Sequence, residues 1–191
     1  NPVVTGVSSG SVTLSWTAQS NPVGFTVYEV SASMDDFVLN FSTPIPIPAG
    51  TTSAAAVITG LAQGTTFWFR VRAANGDTRF TGFTASAATQ TLPGVVTGLA
   101  GSAAGVSSVT WTWSAAAGPS VTAYEIFRAS NGVLLGTSSG TTFADTSLAT
   151  NTAYGVVVAA RNGSGLGALT ASATSFSLAA PPTTVILTGV F

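Results

Sequence analysis

The clearest strand in the sequence is Phe67-Trp68-Phe69-Arg70-Val71-Arg72-Ala73. Every second side chain in this stretch is apolar, starting with Phe67, and the side chains between them are one Trp and two Arg. A hydrophobic period of two predicts a β-strand that buries one face. The opposite face would then carry Trp68, Arg70 and Arg72.

The same alternation runs through most of the chain, whereas helical periodicity is almost absent. Ser11-Val12-Thr13-Leu14-Ser15-Trp16 places Val, Leu and Trp on one face and Ser and Thr on the other. Turn signals such as Asn75-Gly76, Asn131-Gly132 and Gly163-Ser164-Gly165 separate the strands. We therefore predict an all-β fold of short strands, spaced as in a β-sandwich.

The composition excludes most catalytic chemistry. The 191 residues are 46% hydrophobic and only 6% charged, with five Arg, no Lys, no His and no Cys. The chain therefore has no imidazole base, no thiolate nucleophile and no Lys for a Schiff base. Zinc or haem sites built on His or Cys, and disulfides, are excluded as well. We expect no enzyme, no cofactor and no metal site, and five scattered Arg do not form the basic footprint of a nucleic-acid binder.

The hydropathy of the chain is high, at a mean of +0.50. No stretch approaches the roughly 18 consecutive apolar residues of a spanning helix, so we predict no membrane span. The sequence starts without Met and without a signal peptide, which indicates a processed mature form or an excised piece of a longer protein. A polar surface made of Thr and Ser, which carry no charge at any ordinary pH, favours an extracellular or cell-surface location.

A sequence motif repeats along the chain. Val3-Val4-Thr5-Gly6-Val7 recurs as Val95-Val96-Thr97-Gly98-Leu99 and again as Ile186-Leu187-Thr188-Gly189-Val190, at offsets of 92 (3 to 95) and 91 (95 to 186) residues. A period near 90 residues corresponds to one sandwich domain. We predict domains at residues 1–92 and 93–180, followed by an extra strand at 181–191.

Further motifs repeat within the two units. Trp16 of the first unit corresponds to Trp113 of the second. Likewise, the segment from Ser147 to Tyr154 corresponds to Gly60-Leu61-Ala62-Gln63-Gly64-Thr65-Thr66-Phe67. With the Val-x-Ala-x-Asn exit that follows, these motifs resemble the fibronectin type III family, and Ala123-Tyr124-Glu125-Ile126-Phe127-Arg128 is similar to the third strand of bacterial members. The resemblance implies two tandem seven-stranded sandwiches that act as spacers, binding modules or adhesive units. It also implies a corner hydrogen bond from Tyr154, which Phe67 cannot make.

The outward face of the first unit is the first candidate binding surface. By alternation, it exposes Tyr28, Trp68, Arg70 and Arg72. A Trp beside two Arg is typical of an interface hot spot or of a platform on which a sugar stacks. The alternative is that the Arg stems simply stack over Trp68.

The outward face of the second unit is the second candidate. Its positions are Glu125, Phe127, Gly155, Val157 and Ala159. Strands that are apolar on both faces predict that something covers this face, with Phe127 and Val157 as contact residues.

The C-terminal strand is the third candidate, with Val185, Ile186, Leu187, Val190 and Phe191 as its partner-binding residues. A lone apolar strand needs partners, so it either begins a third domain or pairs with a neighbouring molecule. Head-to-tail strand donation does not close and builds a filament.

These observations lead to two functional hypotheses. The first is a non-catalytic extracellular structural protein that self-assembles into a surface filament or sheath. The alternative is a spacer or binding module pair within a larger secreted adhesin or carbohydrate-active enzyme. The expected partner is the chain itself, with a carbohydrate or another surface protein as further partners.

Other motifs favour ordinary structural roles. We expect Asp35-Asp36 to form a solvated turn rather than a catalytic or calcium site, and Asn75-Gly76 to form a plain turn. The prolines of Thr43-Pro44-Ile45-Pro46-Ile47-Pro48 predict an edge or extended segment. Asn40-Phe41-Ser42 and Asn162-Gly163-Ser164 match the glycosylation acceptor pattern, which arises often by chance in a Ser-rich chain.

Overall fold

A computed structural model describes residues 1–46 and 50–183, which form fifteen strands and no helix. No helix in that part of the chain could therefore cross a membrane. The strands are β1 Val3–Val7, β2 Ser11–Ser15, β3 Val27–Ser33, β4 Ser42–Ile45, β5 Ala55–Thr59, β6 Thr66–Ala74, β7 Ala87–Gln90, β8 Thr97–Gly105, β9 Ser108–Ser114, β10 Ala123–Arg128, β11 Leu134–Ser138, β12 Thr142–Asp145, β13 Ala153–Asn162, β14 Gly165–Leu166 and β15 Ala173–Phe176. The predicted all-β class is confirmed.

The first sandwich has seven strands in two antiparallel sheets. Strands β1-β2-β5 form one sheet and β4-β3-β6-β7 the other. In the larger sheet, Val30 pairs with Val71 and Ala32 with Phe69, so the buried faces of the two central strands coincide. This register follows from the hydrophobic alternation, because a slip of one residue would turn every apolar side chain outward.

The second sandwich repeats this arrangement. Strands β12-β9-β8 form one sheet, and β11-β10-β13 form the other, in which β14 and β15 both pair with β13. The last strand is thus interrupted, and between its two parts the Thr170 hydroxyl accepts the backbone N–H of Val158 at 3.0 Å. The side chain replaces a ladder hydrogen bond where the strand is broken.

The chain divides into two compact units. The first consists of Asn1–Val95, Ala116–Thr122 and Ala160–Ala168, and the second consists of Val96–Ala115, Ala123–Ala159 and the chain from Leu169 onward. The limits of the sandwich domains at residues 92 and 93 remain predictions.

An aromatic pair lies in the core of each sandwich. Trp16 packs edge-on against Tyr28 at 5.5 Å between ring centroids, and Trp113 lies at the same distance from Tyr124. The predicted inward face of β2 is confirmed, because Val12 and Leu14 are fully buried beside Trp16. Such aromatic pairs add about 0.5–1.5 kcal/mol beyond the area that they bury.

The predicted exposure of Tyr28 is wrong. Tyr28 is only 5% exposed and belongs to the core of the first sandwich. Its strand alternates the other way, with Tyr28, Val30 and Ala32 inward and the intervening polar residues outward. The repeat carried this signal, since Tyr28-Glu29-Val30 matches Tyr124-Glu125-Ile126, and Tyr124 is buried as well.

The corner hydrogen bond implied by the family resemblance is present in the second sandwich. The Tyr154 hydroxyl accepts the backbone N–H of Ala149 at 2.9 Å. The equivalent Phe67 is buried and has no hydroxyl, so the first sandwich lacks this bond, although the Thr91 hydroxyl donates to Ala62 O at 2.7 Å in the same corner.

The turn and edge predictions also agree with the structure. Asn75 N donates to Arg79 O, and Asn75 Oδ1 accepts the N–H groups of Asp77 and Arg79, which closes a tight turn. Strand β4, which contains Pro44, lies at the edge of its sheet, as its prolines predict. Ile47 and Pro48 lie outside the described residues.

Candidate functional site

The outward face of β6 carries Trp68, Arg70 and Arg72, as the alternation predicts. Their partners across the sheet on β3 are Ser33, Ser31 and Glu29, respectively. All three partners are more than nine-tenths buried although they point away from the core. The face is therefore covered, and the segments that cover it, residues 34–41 and 80–84, belong to the first unit itself.

Both arginines of this face stack on phenylalanines. Arg70 Cζ lies 3.9 Å from the centroid of the Phe37 ring and 4.0 Å from that of Phe83. Arg72 Cζ lies 4.0 Å from the centroid of Phe80 and 4.7 Å from that of Phe83. These distances are within the roughly 6 Å of a cation–π contact. We call these five residues the arginine–phenylalanine stack.

The predicted stacking of the Arg stems over Trp68 is therefore wrong in its aromatic partner. Trp68 is half-buried, and in the described part of the chain the guanidinium groups contact phenylalanine rings instead. Sequence reasoning missed these rings because they lie on loops, where no periodicity places them. Their one signal was composition, since 11 Phe in a chain of 191 residues exceed the needs of two small cores.

The two arginines differ in their polar partners. Arg72 holds Glu29 in a two-pronged ion pair, with Nε at 2.9 Å from Oε1 and Nη2 at 3.0 Å from Oε2. The Arg70 side chain has no hydrogen bond to any described residue, and its Nε is buried. Strand β6 thus carries two guanidinium groups, two residues apart, of which one is hydrogen-bonded to a carboxylate and the other is not.

Ser33 and Asp35 organise the loop that covers this face. The Ser33 hydroxyl accepts the N–H of Phe37 at 2.9 Å and lies 2.6 Å from Asp35 Oδ1. Asp35 Oδ2 in turn accepts the N–H groups of Leu39 and Asn40. The Ser33 hydroxyl, followed by these backbone donors, lowers the pKa of Asp35 below its usual value. Asp35 therefore acts as an internal cap of the loop.

The same loop holds two residues in the left-handed region of the backbone, Asp36 at φ 53° and Phe37 at φ 65°. A bulky residue such as Phe rarely adopts a positive φ. Asp36 is held by a 2.6 Å hydrogen bond from Ser86, and Phe37 by its stacking on Arg70. Each of these two left-handed residues therefore makes a contact that stabilises its conformation.

The same loop presents apolar side chains to solvent. Met34, Val38, Leu39 and Phe41 are all more than half exposed. We call these four residues the apolar rim. A pocket of about 220 Å³ opens beside it, between Met34, Phe41 and Phe67. Clusters of exposed apolar groups of this kind mark interaction sites.

The outward face of the second sandwich is partly covered by its own chain. Ala159 is fully buried, and a Cβ on Gly155 would lie 3.3 Å from the Cβ of Ala129. Phe127 and Val157 are half-buried, and their partner-binding role remains a prediction. In this part of the molecule the ion pair is Arg128–Asp145, with Nη2 at 2.8 Å from Oδ2.

The predicted C-terminal strand carries the remaining partner-binding candidates. Val185, Ile186, Leu187, Val190 and Phe191 lie outside the described residues.

Of the two acceptor asparagines, Asn40 is exposed, whereas Asn162 is 3% exposed and donates its amide to Thr91 O at 2.8 Å. A glycan on Asn162 is incompatible with this packing. Within residues 1–46 and 50–183, no three His, Cys, Asp or Glu side chains cluster as metal ligands.

Comparisons with known proteins agree with this architecture. The family model described as "Fibronectin type III domain" matches residues 1–89. Chitinase A1 of Niallia circulans is 33% identical over 190 residues, which cover 94% of this chain and 25% of the chitinase. The chain thus spans a quarter of the length of that relative.

The described sandwiches also match a solved structure. The two fibronectin type-III domain segment from chicken tenascin has a TM-score of 0.55 at 19% identity, covering 93% of this chain and 98% of the segment. This likeness extends the fold of the first sandwich to the second. Residues 1–89 thus form a domain of the fibronectin type III family, and the second sandwich has the same fold.

Proposed function

We propose that the chain is a non-catalytic pair of spacer and binding modules within an extracellular protein that acts on a polysaccharide. The observation that supports this most directly is the similarity of nearly the whole chain to one quarter of Chitinase A1. This chain is a pair of sandwich modules, so the chemistry of such a protein would lie in its other parts.

The physical properties of the chain suit a spacer. Each sandwich has a core that includes a buried Trp–Tyr pair, so each module is a stiff body that needs no metal or disulfide. A charge-poor surface with a net charge of −1 responds little to the salt concentration and pH outside a cell.

The binding role would belong to the first sandwich. Its arginine–phenylalanine stack and apolar rim combine Arg, aromatic and apolar groups, which is the composition of an interface hot spot. Trp68 and Arg70, which the sequence analysis singled out, lie on this face.

A chimera tests the spacer role. In Chitinase A1, the matched segment is either replaced by this chain or deleted. We expect the replacement to hydrolyse insoluble chitin at least threefold faster than the deletion, while both hydrolyse a soluble chitin oligomer equally, because a spacer matters only for reaching a solid. Equal rates on the insoluble substrate would refute the spacer role. The isolated chain should hydrolyse neither.

Self-assembly into a filament or sheath is the second candidate. It is favoured by the C-terminal sequence Ile186-Leu187-Thr188-Gly189-Val190, which repeats the first-strand motif of a domain. Negative-stain electron microscopy of the purified chain beside a variant ending at residue 180 tests it. Fibres formed by the full chain but not by the shortened variant would support assembly by strand donation, whereas monodisperse particles of both would reject it.

A further inference from the structure

Arg70 and Arg72 form an internal comparison on strand β6. Both point outward and both stack on Phe83; Arg72 also stacks on Phe80, and Arg70 on Phe37, with the Phe41 ring farther away at 5.9 Å. Arg72 also binds the carboxylate of Glu29 through two hydrogen bonds. Arg70 occupies the equivalent environment without a carboxylate.

The carboxylates nearest to Arg70 in sequence and register are already engaged. Glu29 binds Arg72, Asp35 caps the backbone of its own loop, and Asp36 accepts a hydrogen bond from Ser86. Across the sheet, Arg70 faces Ser31, which is 1% exposed. The described residues therefore leave this guanidinium without an acceptor, and a polar group in that state calls for an outside partner.

The geometry restricts how such a partner approaches. The Phe37 and Phe83 rings cover the guanidinium at 3.9 and 4.0 Å, and its Nε is buried. Because Nε is the buried nitrogen, a partner would reach the guanidinium from its outer edge, which is formed by the two Nη atoms. This edge presents two parallel N–H donors, which match the two oxygens of a carboxylate.

We propose that Arg70 is a docking site for a carboxylate of a partner protein, an Asp or Glu side chain flanked by apolar residues. The proposal rests on the binding role suggested above and specifies its chemistry. The carboxylate would accept two hydrogen bonds from the Arg70 guanidinium, as the Glu29 carboxylate does from Arg72.

The flanking residues follow from the apolar rim. Val38 and Leu39 are 75% and 83% exposed and Phe41 is 64% exposed, and they lie on the loop that stacks on Arg70 through Phe37. Apolar neighbours of the bound carboxylate would cover these side chains and exclude water from the charge pair, as the rim of a hot spot does. A sugar acid would bring hydroxyl groups against this apolar surface, and a free phosphate would leave it uncovered.

The experiment follows the Nε–Hε signals of the five arginines in the ¹⁵N-labelled full chain by NMR. The probe is N-acetyl-Leu-Glu-Phe-amide, and the matched control peptide has Gln in place of Glu. We expect the Arg70 signal to shift and saturate at millimolar Glu peptide, with at least tenfold weaker binding of the Gln peptide and no shift of Arg72. An unmoved Arg70 signal, or equal shifts with both peptides, would overturn the proposal.

Further titrations distinguish between the possible sources of the anion. Inorganic phosphate or polygalacturonate that saturates the Arg70 signal at a lower concentration than the Glu peptide would overturn the assignment to a protein partner. Arg70→Lys keeps the charge but loses the two-pronged geometry, so it should bind the Glu peptide at least fivefold more weakly. Unchanged binding would overturn the role of Arg70, and the wild-type titration decides the matter even where this variant does not fold.

Failure here is distinct from failure of the proposed function. The chimera measures hydrolysis of insoluble chitin and does not depend on Arg70. A negative titration together with a positive chimera would leave a spacer without this docking site.

Discussion

Trp16 and Tyr28 in the first sandwich, and Trp113 and Tyr124 in the second, pack at the same 5.5 Å between ring centroids. Around this shared centre the two sandwiches are held differently. The corner bond of Tyr154 is absent at Phe67, and the ion pairs lie at different depths. The two sandwiches therefore share their aromatic centre and differ at the periphery, where the first sandwich carries the arginine–phenylalanine stack.

The largest expected effect comes from the deeper ion pair. The side chains of Arg128 and Asp145 are 14% and 7% exposed. Asp145→Asn leaves the Arg128 charge buried without a counterion, and removing one partner of a buried pair costs about 3 kcal/mol or more. The free energy of unfolding, measured by urea denaturation of the full chain, should fall by this amount. Hydrogen exchange should locate the loss in strands β9 and β10.

The matched control is Glu29→Gln in the first sandwich. Arg72 is 28% exposed there and keeps its stacking on Phe80, so we expect a smaller loss, about 1–2 kcal/mol. If Glu29→Gln destabilises the chain more than Asp145→Asn, then burial is not what ranks the two ion pairs.

The next effect concerns the hydrogen bond of the Tyr154 hydroxyl at the corner of the second sandwich. Tyr154→Phe removes the hydroxyl that accepts the N–H of Ala149, and one hydrogen bond contributes about 1 kcal/mol net. The denaturation midpoint of the second sandwich should fall accordingly, and exchange at Ala149 should quicken. Exchange in the first sandwich serves as the internal control, since it should not change.

The reverse substitution sharpens the same comparison. Phe67→Tyr places a hydroxyl where the first sandwich has none, and Ala62 is the counterpart of Ala149 in the repeat. Slower exchange at Ala62, with a gain of at most about 1 kcal/mol, would show that the two corners are interchangeable. A loss of stability would show that Phe67 is fixed by its packing.

Sequence reasoning reached the fold because each central strand has one buried face. The alternation in β2 and β6 and the repeat of the Trp position identify the sandwiches. The alternation was assigned to the wrong face at Tyr28, whose strand is polar on a covered face. Only part of the candidate site could be predicted from the sequence. Trp68 and the two arginines follow from periodicity, whereas Phe37 and Phe83 lie on loops whose paths depend on hydrogen bonds to Ser33 and on positive φ angles. No local pattern encodes those contacts.

A smaller effect comes from a turn position that differs between the repeats. Gly60 has φ 73°, and its counterpart Ser147 adopts φ 61°. A Cβ at Gly60 would meet no atom within 4 Å, so any cost of Gly60→Ala comes from the backbone alone and should be about 1 kcal/mol.

The converse variant Ser147→Gly relieves the same strain in the second sandwich. Because glycine also gains freedom in the unfolded chain, the net gain in the free energy of unfolding should stay below about 1 kcal/mol. Urea denaturation of both variants in the full chain gives the comparison. Opposite signs are expected, and equal signs would show that contacts of the Ser147 side chain outweigh its backbone strain.

The smallest effect is local and depends on pH. Hydrogen bonds from Ser33 and the loop backbone lower the pKa of Asp35, so the ionised form stabilises the folded loop. This stabilisation is present above the usual aspartate pKa near 4 and is lost as the pH falls through the lower pKa of the folded protein. The Arg70 Nε–Hε signal, which senses the stacking of Phe37, should therefore move as the pH falls below about 4, whereas the Tyr154 corner should not respond. In Asp35→Asn, the Arg70 Nε–Hε signal at pH 6 should already lie where the wild-type signal lies at low pH. An unchanged signal in this variant would show that Ser33 alone fixes the loop that covers Arg70.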